Sequence, residues 1–105
     1  MIKVTFYYNS DYEIERFELK GHANYDDVGY DIVCSAATSN SLAVINSLDT
    51  LQGVKFKDVK AEEGYICCEV STDDIKKSQL LLQHLRLALE EISKEYPKNI
   101  KLFEK

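Results

Sequence analysis

In a chain where 30% of the residues are charged, no charge falls between Ile32 and Leu48. That run limits the possible folds more than any other feature. Ala36, Ala37, Val44, Leu48 and Leu51 recur along it and just beyond it at helical spacing. Its Ser, Thr and Asn content makes it too polar to span a bilayer. It therefore predicts a helix that protein must cover, with a sheet on one side and room for a partner subunit on the other. Asp31 stands where an N-cap belongs, and Gly53 supplies a stop signal.

Strand-like patterns flank this helix in pairs. Ile2, Val4, Phe6 and Tyr8 alternate with Lys3, Thr5 and Tyr7, the period of a half-buried strand. After the turn cluster Asn9-Ser10-Asp11 a second strand runs to about Lys20. Its parity slips between Ile14 and Phe17, which predicts a bulge. Beyond Gly53, Val54 and Phe56 alternate with Lys55 and Lys57, and Ile66, Cys68 and Val70 return after Glu62-Glu63-Gly64. Ile75, Leu82, Leu85, Leu89, Ile92 and Tyr96 then line one side of a second helix, which Pro97 ends before a short terminal strand at Ile100–Phe103. The order is ββαββα. It implies an α+β two-layer sandwich, one domain over 1–105, with a mainly antiparallel sheet and two helices packed on it.

The net charge of −5, from 18 acidic and 13 basic residues, argues against a binder of nucleic-acid backbones and favours a basic protein partner. Met1 to Phe6 lacks the basic leader and apolar run of a signal peptide, and no membrane segment is expected. The three cysteines have no zinc-like spacing and suit reduced thiols, which points to a cytoplasmic protein without metal or other cofactor.

Chemistry concentrates between residues 21 and 37. Gly21-His22-Ala23 precedes a loop to Gly29, and Tyr30-Asp31-Ile32-Val33-Cys34 leads into the helix. With Asp31 as cap, Cys34 is the third helical residue, where the helix dipole favours a thiolate. His22 lies nearby in sequence as a base, which makes a cysteine-nucleophile constellation. Each member also has a plainer reading. A cysteine there serves equally as a small buried hydrophobe, His22 as a surface residue at a strand end, and Asp31 as a cap alone. Cys67 and Cys68, adjacent on a strand, point to opposite faces and read as structural. His84 reads as a helix-flank residue.

The run Gly21-His22-Ala23, five residues, Gly29, then Asp31-Ile32-Val33-Cys34 resembles the signature of the ribosomal-processing cysteine proteases, the Prp family. The resemblance implies a homodimeric bacterial enzyme that removes the N-terminal extension of large-subunit ribosomal protein twenty-seven, cutting after two aromatic residues and before a small one. It implies Cys34 as nucleophile, His22 as general base and acid, and Asp31 as a supporting residue. Ser35-Ala36-Ala37-Thr38 departs from the expected Ala or Gly at the first position and Ser at the last, within small or hydroxyl-bearing types. Gly21, Tyr25, Gly29, Tyr30, Ser35 and Thr38 are the expected substrate-binding residues, and the backbone N–H groups near Cys34 and Ser35 the expected oxyanion donors. The loop between Gly21 and Gly29, hinged on its glycines, is expected to close only around substrate. A non-catalytic module that grips a basic ribosomal protein is the competing reading; loss of cleavage on selective alkylation of Cys34 separates the two.

Overall fold

The computed structural model describes residues 1–21 and 30–105, with the side chains of all of these except Tyr30 and Asp31. The elements in order are β1 (Ile2–Tyr8), β2 (Ile14–Lys20), α1 (Tyr30–Thr50), β3 (Phe56–Glu62), β4 (Tyr65–Val70), a short 3-10 turn (Thr72–Asp74), α2 (Ile75–Glu95) and β5 (Ile100–Glu104). They form one five-stranded sheet in the order β3-β4-β2-β1-β5. All its pairings are antiparallel except that of β1 with β5. Both helices lie on one side of it, α1 on β4 and α2 on β2 and β5. This is the expected α+β two-layer sandwich.

The core sits between the layers. Val4, Phe6, Phe17 and Ile100 from the sheet meet Val33, Ala37 and Leu48 of α1 and Leu82, Leu85 and Leu89 of α2, all buried. The parity slip in β2 is a real bulge. Tyr7 pairs with Arg16 and Tyr8 with Ile14, so Glu15 is the extra residue that returns Ile14 to the core side. α1 ends in an αL cap: Gly53, at φ 63°, donates its N–H to Asp49 O at 3.1 Å, and Val54 N donates to Leu48 O at 2.9 Å. Val54 and Leu48 are both buried beneath that cap.

Three local expectations are corrected. Leu51 follows α1 and is 78% exposed, because the cap turns the chain before the apolar period can return. Val54 is buried but precedes β3, which starts at Phe56. α1 already includes Tyr30 and Asp31, so Asp31 is a residue of the helix and not its N-cap. Cys34 is consequently no earlier than the fifth helical residue.

The other side of the sheet carries polar chemistry. Arg16 sits within 3.3 Å of Glu18, 3.5 Å of Glu69 and 3.8 Å of Asp58, while the Tyr65 hydroxyl donates to Glu18 at 3.0 Å. Burial pushes the Glu18 carboxyl up, but Tyr65, Lys20 and Arg16 outweigh it and hold it below its ordinary value. Cys67 faces this network, its thiol 3.6 Å from Asp58, and Cys68 faces the core. Burial pushes the Cys68 thiol up to about 12. Among the described residues no helix is long and apolar enough to cross a membrane.

Candidate active site

One end of the sandwich holds a cavity of about 230 Å³. Four separate parts of the chain build it: the start of β1, the end of β2, the first turns of α1, and the β3–β4 turn. Its apolar body comes from Ile2, Leu19, Ala37 and Ile66, the core-side residues of their elements. Cys34 and Thr38 enter it together because residues four apart share a helix face. Cys34 is a free thiol, half-buried, and packs against the core cluster with one side open to the cavity. Glu62 and Glu63, both exposed, complete its lining at the β3–β4 turn.

Gly21 sets how closely these parts meet. Its N–H donates to Gly64 O at 3.1 Å, tying the end of β2 to the β3–β4 turn. A Cβ at this position would stand 2.9 Å from Ile2 Cα and 3.0 Å from Met1 O. Two backbones can approach this far only because the side chain is a hydrogen. Gly21 is thus held by a hydrogen bond and close contact, and its value here is steric.

Of the residues singled out from sequence, the structure brings Gly21, Cys34 and Thr38 into one cavity. Ser35 is exposed on α1 and absent from the lining, since one step along a helix turns the side chain by about 100°. His22, Tyr25, Gly29 and the loop closure inferred for that segment lie outside the described residues, as do the side chains of Tyr30 and Asp31. The expectation that Cys34 and Ser35 supply orphan N–H groups is also corrected. A helix that contains Tyr30 and Asp31 uses those two N–H groups in its i→i−4 ladder, and the unpaired donors belong to residues nearer its start. The Glu62–Glu63 lining and the Ile2–Leu19–Ile66 floor went unnoticed in sequence. Only strand pairing reveals them: Lys20 opposite Tyr65 and Leu19 opposite Ile66 carry the β3–β4 turn to the end of β2.

A half-exposed thiol beside a largely apolar cavity can attack an electrophile whose side chain that cavity holds. The comparisons agree with this chemistry. The model of the family described as cysteine protease Prp matches residues 1–101. The ribosomal processing cysteine protease Prp of Bacillus subtilis (strain 168) is 30% identical over 107 residues, taking in 97% of this chain and 96% of that one. Its counterpart of the same name in Staphylococcus aureus (strain Mu50 / ATCC 700699) is 27% identical over 104 residues, 97% of each chain. The crystal structure of the S. aureus ribosomal processing protease Prp with a substrate peptide superposes with a TM-score of 0.90 at 26% identity, covering 100% of both chains. The structure of that protease with a covalently linked product peptide gives 0.87 at 27%, again over 100% of each.

Proposed function

Since this chain belongs to the Prp family of ribosomal-processing cysteine proteases, we propose that it removes the N-terminal extension of large-subunit ribosomal protein twenty-seven, with Cys34 and His22 as its dyad. The observation that carries the reading is the Cys34 thiol opening into a cavity of side-chain size, in a chain matched by the family model over 1–101.

In this mechanism His22 takes the thiol proton and Cys34 Sγ bonds to the scissile carbonyl carbon. Unpaired backbone N–H groups at the start of α1 hold the oxyanion. The C–N bond then breaks, His22 delivers its proton to the leaving amine, and the extension stays on Sγ as a thioester. Water, deprotonated by His22, releases the extension as a carboxylic acid and restores the thiol. Asp31 supports the imidazole. An aromatic residue of the substrate fills the cavity floor, whose four walls are apolar, and Thr38 borders it. No cofactor enters any step.

The whole chain, 1–105, works as a single protease domain in the cytoplasm, as a homodimer, on a basic ribosomal protein without binding nucleic acid or membrane. The charge balance of −5 supports the basic partner. The experiment is intact-mass spectrometry of the ribosomal protein incubated with the enzyme, with Cys34→Ala and with His22→Ala. The expected result is loss of the extension with the unaltered enzyme alone. Cleavage by Cys34→Ala refutes the assignment, and binding without cleavage by every form leaves the non-catalytic module as the correct reading.

A further inference from the structure

β3 is wider than its cover. Its register pairs Val59 with Cys68 and Ala61 with Ile66, and cross-strand partners share a face. Cys68 and Ile66 lie in the core at 1% and 6% exposure, so Val59 and Ala61 also point to the helix side. Yet Val59 is 41% exposed and Ala61 is exposed too. The cause is the placement of the helices: α1 packs on β4, and α2 on β2 and β5, leaving the helix side of the edge strand open. A shelf results beside α1. It adjoins the Cys34 cavity, because Ile66 is both the partner of Ala61 and a wall of that cavity.

The geometry points to this shelf as the seat of an extended stretch of the substrate, next to the residue that occupies the cavity. The inference rests on the protease reading above and names the surface that reading lacks. Val59 and Ala61 are two residues apart along a strand, about 7 Å, which is the repeat of same-side side chains in an extended peptide. A peptide anchored in the cavity and lying along β3 therefore meets Ala61 and then Val59 with alternate side chains. Those that lie against Val59 and Ala61 are apolar or uncharged, since neither residue offers a polar side-chain partner. The shelf makes the enzyme read several residues of its substrate, where a cavity of about 230 Å³ holds one side chain.

Two synthetic peptides test this, one spanning the full N-terminal extension and the cut site, the other trimmed to the residues flanking the scissile bond. Binding is read as Kd on the Cys34→Ala background and turnover as KM and kcat on the active enzyme. Val59→Lys raises Kd and KM for the long peptide by about fivefold to tenfold, the worth of one small buried apolar contact, and leaves kcat and the short peptide unchanged. Val59→Ile restores ordinary values, which a general loss of stability would not do. Equal effects on both peptides, no effect on either, or failure of the long peptide to bind at all overturns the inference. A changed sedimentation coefficient with unchanged KM overturns it as well, since the occupant is then a second copy of this chain. Long-peptide binding that responds to Val59→Lys, together with cleavage that survives Cys34→Ala, keeps the shelf and refutes the nucleophile.

Discussion

Replacing Gly21 by Ala adds one carbon at the point where β1, β2 and the β3–β4 turn converge. The new Cβ would lie 2.9 Å from Ile2 Cα, 3.0 Å from Met1 O and 3.2 Å from Ile2 Cγ1. Two of these three atoms are backbone and cannot rotate away. Neither strand end is free to yield: Ile2 N donates to Asn99 O at 2.8 Å, and Gly21 N to Gly64 O at 3.1 Å. Forcing a methyl into such packing costs about 1–3 kcal/mol. Reduced freedom of the unfolded chain returns about 0.4–1 kcal/mol. The expected net loss is about 1–2 kcal/mol, or a fall in Tm of roughly 4–10 °C for a domain of this size. Urea unfolding reads the loss as a lower midpoint at unchanged m. Cleavage by the folded variant should fall by more than tenfold, because the displaced strand end leads directly into His22. Adding Ile2→Ala should recover only a minor part, since it removes the 3.2 Å contact and leaves both backbone contacts. A Tm within about 1 °C of the unaltered protein, with full activity, refutes the steric argument.

Iodoacetamide at neutral pH should label Cys34 well before Cys67 or Cys68, which are 0% and 1% exposed; peptide mapping reads the order. Glu18→Gln should lower stability at pH 7 by about 1–2 kcal/mol, since Tyr65 and Arg16 lose a charged acceptor. Because the folded protein holds the Glu18 carboxyl low, its contribution is complete above the ordinary glutamate pKa of about 4.3 and fades as pH falls through the lower folded value. The gap between Glu18→Gln and the unaltered protein should therefore narrow in acid, as followed by denaturant titration across pH. Leu42→Glu, on the exposed uncharged side of α1, should shift sedimentation from a dimer toward the 12.0 kDa monomer if α1 forms the homodimer contact.

The elements that hydrophobic period alone specifies were legible. α2 buries Ile75, Leu82, Leu85 and Leu89, the stripe its spacing draws, and the bulge falls where β2 changes parity. Start and stop signals were read less evenly. Gly53 stops α1 through its own φ, a property of the residue, whereas Asp31 serves a cap and a first turn equally well, so the start of α1 was misplaced. Long-range pairing was invisible. Nothing local in Ile66 says that it stands opposite both Leu19 and Ala61, and that double pairing is what carries the β3–β4 turn to Cys34.

This explains why candidate residues could be singled out in sequence but the cavity's walls could not. A nucleophile and its base need residue types that are scarce here, three Cys and two His, so the chain has few ways to supply them. A wall needs only apolar bulk, and Ile2, Leu19 and Ile66 look like any other core residues in their alternating strands. They become a site because the first turns of α1 meet the ends of β1 and β2 and the β3–β4 turn without filling the space between them. The same incomplete cover leaves Val59 exposed farther along the sheet. Cavity and shelf are thus one consequence of two helices spread over five strands: the core closes over the central strands, and the uncovered margin is where an extended peptide can lie against apolar side chains without unfolding anything.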